Sequence, residues 1–379
     1  MAVALVNGRV LGDDGVMEGR CVLLDRGRIV DVVAETDPRC RSAQRHDLRG
    51  GMLLPGFIDC QVNGGGGVLF NDAPSIDSIR AIGEAHRRFG TTGFLPTLIS
   101  ADLDVVARAI AAVQGAIQAG VPGVLGIHIE GPFLNVARKG VHDPAKLREL
   151  DASAVGLLTS LRGGKTLVTL APEMTTPDII QRLAKSGVVV SAGHSNATYA
   201  EIGTALRHGL TGFTHLFNAM SQLTGREPGV VGAALDDPNS WCGIIVDGEH
   251  TSPVVLRIAL RAKPHNRFML VTDAMPGVGT NHTSFNLQGR RITVSGPACV
   301  DEDGRLAGSN IDMASCVRNA VKLLHLPLLE AVRMASLHPA EFLGIAQDTG
   351  RIQAGYRANL VLADDDLNVL ETWIDGQAI

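Results

Sequence analysis

Val188-Val189-Val190-Ser191-Ala192-Gly193-His194-Ser195-Asn196 is an apolar, β-branched run that ends on a polar residue. Ser195, Asn196 and Thr198 are then placed to cap a following helix. The same grammar recurs along the chain. Val124 to Ile129 ends at Glu130, Leu167 to Leu170 ends near Glu173, and Phe213 to Thr214 runs into His215. Gly243 to Val246 ends at Asp247 and His250, and Phe268 to Thr272 ends at Asp273. Gly93 to Leu98 precedes Val105 to Ile117, where Val106, Ile110, Val113 and Ile117 share one helical face. Repeated strand-helix units require parallel strands with right-handed crossovers. Residues 54–344 can hold such a closed array of about 250 residues. The reading is an α/β protein with a (β/α)8 TIM-like barrel.

Outside that segment the pattern changes. Val3 to Val6, Cys21 to Leu24 and Arg28 to Val33 are short apolar stretches between Gly and Asp turns, and Gly350 to Ile352, Asn359 to Ala363 and Val369 to Ile374 read as strands too. Neither end is large enough to bury a core alone, so residues 1–53 and 345–379 are expected to pair into one small β-domain.

Composition narrows the function. Of 379 residues, 45% are hydrophobic and 19% charged, with a formal net charge of -5. This describes a well-buried enzyme and gives no field for nucleic acid. Cysteines 21, 40, 60, 242, 299 and 316 show no C-x-x-C spacing and read as buried thiols. The opening MAVALVNGRVLGDDG does not read as a secretory leader, and no apolar run reaches membrane-spanning length. A cytoplasmic location without a membrane partner is expected.

Barrel chemistry sits at the C-terminal ends of the strands, which makes Glu130, His194, His215, His250 and Asp273 neighbours in space. Two imidazoles and one carboxylate suit a catalytic divalent ion, so Glu130, His194 and His215 are the expected ligands. Such an ion lowers the pKa of a bound water to about 7. Asp273 has the chemistry to take a proton from that water and pass it on. One strand-end histidine alone is more often structural; the weight lies in four such placements together. His128, two residues before Glu130, shares its side of an ideal strand and receives no role. The run Gly64 to Gly67 lacks the Gly-Lys-Ser/Thr of a phosphate loop and reads as a flexible loop. Arg226, on a Gly/Pro-shaped loop, can fork onto phosphate oxygens, although from the residues alone a solvated loop arginine is the better explanation.

Segments along the whole chain carry a resemblance. They include Pro-Gly-Phe-Ile-Asp (55–59), His-Ile-Glu-Gly-Pro-Phe-Leu-Asn (128–135), Lys-Gly-Val-His (139–142), Ala-Gly-His-Ser (192–195) and Thr-His-Leu-Phe-Asn-Ala-Met (214–220). Arg-Glu-Pro-Gly (226–229), Asp-Gly-Glu-His (247–250), Val-Thr-Asp-Ala-Met (271–275) and Leu-Ala-Gly-Ser (306–309) continue the series. Together they resemble the N-acetylglucosamine-6-phosphate deacetylases of the amidohydrolase superfamily. The resemblance implies a β-sandwich built from both termini and a homodimer. It implies hydrolysis of N-acetyl-D-glucosamine 6-phosphate to D-glucosamine 6-phosphate and acetate in amino-sugar metabolism. It assigns Asp273 as base and then acid, and His142 as the donor to the acetamide oxygen. It places Val141, Asn218, Ala219, Asp247, His250, Leu306, Ala307 and Gly308 around the sugar phosphate, and sends Arg226 to the neighbouring active site. The expected cofactor is one divalent ion per subunit, Zn2+ foremost, with Fe2+, Mn2+, Co2+ or Cd2+ as alternatives.

One departure from the wider superfamily is Gln61 and Asn63 where many members carry His-x-His. Neutral amides are poor transition-metal ligands. Asp59, with Cys60 or Gln61, leaves room only for a weak second ion. Two rivals stand beside the deacetylase reading: cyclic-amide opening or deamination on the same barrel, and a metal-free scaffolding homologue.

Overall fold

The computed structural model describes residues 2–378. Eight parallel strands form one sheet in chain order: Phe57–Val62, Thr91–Ile99, Gly126–Glu130, Lys165–Leu170, Val189–Ala192, Leu210–Phe213, Trp241–Ile244 and Phe268–Leu270. Closure follows where the Asp273 N–H donates to the Gln61 carbonyl at 3.0 Å and Val62 bridges Ala274. Every strand is buried over most of its length because helices cover the outside and side chains fill the inside, the usual state of an all-parallel sheet. This is the (β/α)8 barrel expected from the strand-end grammar.

The register places the polar residues together. Ile99 pairs with Glu130, Glu130 with Thr169, Leu170 with Ala192 and Ala192 with Phe213, so the strand ends finish at one level. The helix expected over 105–117 spans Leu103–Gln118 and buries Val106, Ala109, Ile110, Val113 and Ala116 against the barrel. Each such side chain contributes up to about 1.5–3 kcal/mol when large and fully buried. No helix of the described residues is long and apolar enough to cross a membrane.

Both termini build the second unit. One sheet has four strands, drawn from residues 3–47. The other has six and mixes Arg9–Gly12, Gly15–Met17 and Met52–Pro55 with Leu360–Ala363, Val369–Ile374 and Gln377–Ala378. Leu5, Val22 and Ile29 from the first sheet share a core with Val10, Leu53, Leu360 and Trp373 from the second. Met52–Pro55 straddles the boundary anticipated at residue 53 and pairs with both chain ends.

Two local expectations are corrected. Gly350 to Ile352 is not a strand: Gly350 takes a left-handed φ of 92° and lies so close to Leu337 that a Cβ would sit 3.0 Å from its Cα. The Gly64 to Gly67 run is not a loose loop either, since Gly64–Gly65 pairs with Val68–Leu69 in a tight ribbon. A Cβ on Gly64 would lie 2.4 Å from the Val68 carbonyl oxygen. Glycine serves close approach there rather than mobility. The sequence reading also lacked a four-stranded antiparallel sheet, Ser284 to Ser309, inserted after the eighth barrel strand and carrying Leu306–Ser309 to the barrel mouth.

Candidate metal centre and active site

Glu130 ends its strand, whereas His194, His215 and Asp273 lie just past theirs, in left-handed backbone with φ of 49°, 34° and 52°. Non-glycine residues rarely hold this conformation, which costs about 1–3 kcal/mol each. The strain turns each side chain inward over the barrel axis, and the surrounding ladder holds it. Room is supplied locally: a Cβ on Gly193 would meet Thr169 Cγ2 at 2.7 Å.

The side chains converge. Glu130 Oε1 lies 3.1 Å from His194 Nε2 and 3.0 Å from His215 Nε2, and the two nitrogens are 3.1 Å apart. All three residues are at most 5% exposed. His194 Nδ1 donates to the Arg138 carbonyl at 2.8 Å, which puts the proton of a neutral ring on Nδ1 and leaves the Nε2 lone pair aimed at Glu130. Two facing ring nitrogens and a carboxylate oxygen, with His194 and Glu130 held from behind, form a donor set that fits a divalent cation. Glu130, His194 and His215 are the one group of potential ligands that converges in this way among the described residues.

Asp59 does not join them. Its carboxylate turns to the Thr272 hydroxyl at 2.5 Å and to the N–H groups of Thr272 and Gln61, and burial pushes its pKa up to about 7. Gln61 presents its donor end to the site, giving hydrogen bonds to Glu130 Oε2 at 3.2 Å and to Asp273 Oδ1 at 3.0 Å. Asn63 adds a second donor to the same Asp273 oxygen at 2.7 Å. Burial and the Glu130 charge nevertheless push Asp273 up to about 6.

His142 packs against this group, its ring centroid 4.4 Å from that of His194. Burial, reinforced by the neighbouring imidazoles, pushes its pKa down to about 3, so it is a neutral ring. Asp247 accepts from His250 Nδ1 at 2.6 Å and from the N–H groups of Glu249 and His250. Against the upward push of burial, these bonds hold its carboxyl below the ordinary range.

A cavity of about 300 Å3 lies over these groups. Glu130, His194, His215, His142 and Asp273 line it, as do Val141, Asn218, Ala219, His250, Leu306 and Gly308. Ala307 is fully buried behind that wall, and Asp247 acts through His250. Arg226 sits on an exposed loop and does not line the cavity of its own chain. His128 lies below the site, bonded to Thr97 and Thr169 hydroxyls inside the barrel.

Several residues carry roles that the sequence left unassigned. Arg138 and Ala137 line the cavity from the loop before His142. Glu173 ties that loop to the His194 strand by accepting from Asn135 Nδ2, Ser195 Oγ and the Asn196 N–H. Ser100, which bonds His142, follows the strand Thr91–Ile99 and was visible to the strand-end rule.

Residues 52–379 match the amidohydrolase family. An N-acetylgalactosamine-6-phosphate deacetylase of Shewanella sp. (strain ANA-3) is 47% identical over 88% of this chain and 84% of its own length. An N-acetylglucosamine-6-phosphate deacetylase of Haemophilus influenzae is 36% identical over 100% of this chain and 99% of its own. The crystal structure of N-acetylglucosamine-6-phosphate deacetylase from Pasteurella multocida superposes with a TM-score of 0.96 at 35% identity, covering 100% of both chains. A strand-end Glu/His/His centre beside a buried aspartate on this barrel, with a family match over most of its length, makes the chain a member of the amidohydrolase family.

Proposed function

We propose that the chain hydrolyses N-acetyl-D-glucosamine 6-phosphate to D-glucosamine 6-phosphate and acetate. The observation that carries this reading is the placement of His142 and Asp273 around one cavity with the Glu130, His194 and His215 group. A divalent ion held by those three residues, Zn2+ foremost, supplies an activated water and polarises an amide carbonyl when bound. Asp273 Oδ2 carries the proton traffic: Gln61 and Asn63 occupy Oδ1, so Oδ2 takes the proton of the attacking water and returns it to the leaving nitrogen. His142 donates to the carbonyl oxygen as it becomes an oxyanion, a contribution of about 3 kcal/mol. Asn218, Ala219 and the Leu306 to Gly308 segment hold the sugar, and His250, braced by Asp247, faces the phosphate.

Arg226 completes the phosphate site from a second copy in a homodimer. Its exposure, with Leu223 three residues earlier 57% exposed, supports an intermolecular role. Remote phosphate binding then aligns the amide with the water.

A second reading changes only the sugar. The relative at 47% identity is named for the galactosamine epimer, whereas the Haemophilus glucosamine-type relative is 36% identical. Steady-state deacetylation of both N-acetylated hexosamine 6-phosphates, beside their unphosphorylated sugars, with bound metal quantified, decides. A phosphate preference abolished by chelation supports the reading, and the kcat/KM ratio between epimers selects the sugar. No turnover of any of them by metal-loaded protein overturns it in favour of cyclic-amide opening or deamination.

A further inference from the structure

His142 is held from behind by one residue. Ser100 Oγ lies 2.7 Å from His142 Nδ1, and the Ser100 backbone N–H donates to the same nitrogen at 3.3 Å. A backbone N–H can only donate, so Nδ1 is an acceptor and carries no proton. The single proton of the neutral ring therefore sits on Nε2. His142 and Ser100 are 2% and 1% exposed, so water does not compete for these bonds.

Ser100 is itself clamped. The Gln288 side-chain amide donates to the Ser100 carbonyl at 2.8 Å and accepts from the Asp143 N–H at 2.9 Å. One side chain thus ties the end of a barrel strand to the loop that bears His142. Gln288 reaches there from the tip of the inserted hairpin, where Leu287 pairs with Arg290 and the turn residues Gln288 and Gly289 have φ of 49° and 83°. Both central residues left-handed is the tight two-residue turn that matches strand twist, which fixes the direction of the glutamine. On the other side, a Cβ on Gly131 would lie 2.3 Å from Ser100 Oγ, so the residue after Glu130 leaves space for that hydroxyl.

We propose that Ser100 and Gln288 are positioning residues that set His142 as an Nε2–H donor toward the reacting carbonyl. The inference rests on the deacetylase reading of His142 and adds the device that selects its tautomer. Removing Ser100 Oγ leaves only the weak 3.3 Å backbone bond to oppose a proton on Nδ1, so the Nδ1–H form, which offers the carbonyl oxygen a lone pair instead of a proton, gains population.

Kinetics of Ser100→Ala, Gln288→Ala, His142→Ala and the doubles carrying His142→Ala test it, with metal content measured on each protein. The single Ser100 and Gln288 variants should lose roughly ten-fold in kcat, less than the 10²–10³ of deleting an oxyanion donor outright, with KM and metal content unchanged. Placed in the His142→Ala background, neither should lower kcat further, because both act through that ring. Nitrogen NMR of selectively labelled histidine should report a protonated Nε2 in the native enzyme and a mixed tautomer in Ser100→Ala. A fully active His142→Ala sinks the mechanistic reading and this inference with it. A slow His142→Ala beside unimpaired Ser100→Ala and Gln288→Ala, or beside losses that persist in the doubles, overturns the positioning role alone. Gln288 is exposed, so its variant folds even where the buried serine change does not.

Discussion

Gln61 Nε2 lies 3.0 Å from Asp273 Oδ1, and the same amide nitrogen reaches Glu130 Oε2 at 3.2 Å. One neutral donor thus separates two buried carboxylates, leaving Glu130 Oε1 to the two imidazoles and Asp273 Oδ2 free. A charged or ligating side chain at this position would compete for the centre; an amide organises it. Gln61→Ala should retain metal, because none of the three converging ligands is removed. Its kcat/KM should fall by roughly ten-fold or more, the effect of losing a hydrogen bond to a charged group worth about 1.5–3 kcal/mol. Asn63→Ala, which removes the other donor to Asp273, should behave alike. Unchanged kcat/KM in both would refute the division of labour between Oδ1 and Oδ2.

Metal removal should separate chemistry from fold. The barrel is packed by an apolar core that encircles it, from Phe57 and Phe94 to Phe213 and Phe268, so chelated protein should keep its far-ultraviolet circular dichroism. Activity should vanish. The melting temperature should fall by several degrees, since an ion present at a thousand times its Kd stabilises the native state by about 4 kcal/mol. Zn2+ added back should restore both signals. Equal melting curves before and after chelation would mean that Glu130, His194 and His215 do not bind the ion.

The barrel and the convergence of Glu130, His194 and His215 were legible because parallel strands are short apolar runs, and strand-end polarity marks the functional rim. His194 and Glu130 announce themselves by standing where a buried run stops. What orients them was hidden. The left-handed backbone of His194, His215 and Asp273 follows from tertiary closure, and no local propensity encodes it. The Arg138 carbonyl that fixes His194 belongs to main chain, so residue type carries no trace of it. Gln288 lies 188 residues from the Ser100 it clamps, inside a hairpin whose register only the folded barrel mouth defines. Gly64 and Gly65 misled for a related reason: glycine marks either mobility or close approach, and the difference lies in partners such as His86 and Val68.

Gly126 offers a sharp stability test of the strand that carries Glu130. It opens the strand opposite Lys165, at φ 157°, and a Cβ there would lie 1.9 Å from the Lys165 carbonyl oxygen. Neither backbone can yield without breaking the ladder, so Gly126→Ala should destabilise by about 4 kcal/mol or more and weaken metal binding. Gly187→Ala is the control: its φ of 86° is also left-handed, but nothing lies within 4 Å of the added carbon. That change should cost only about 1–2 kcal/mol of backbone strain. Equal losses in urea unfolding would show that strain rather than collision governs both sites.

Acid should destabilise the fold through buried neutral histidines remote from the metal group. His86 Nε2 donates to the Gly64 carbonyl at 2.9 Å, and burial holds the ring below its ordinary pKa of 6.5, with the Gly64 bond and the Asp312 charge opposing only in part. His338, with Nδ1 donating to the Phe268 carbonyl at 2.8 Å, is depressed by burial in the same way. Below pH 6.5 the unfolded chain takes up a proton at each position while the folded chain does not. The unfolded state then binds more protons, so stability drops as the pH is lowered, by at most about 1.4 kcal/mol per pH unit for each histidine, until the folded ring itself titrates. Gln at position 86 keeps a donor for Gly64 and cannot titrate. The stability advantage of the native chain over His86→Gln should therefore shrink between pH 7.5 and 5, read as the difference in urea midpoints. An advantage that grows toward acid would require a charged, stabilised imidazolium beneath the glycine ribbon, and a constant one would mean that His86 titrates alike in both states.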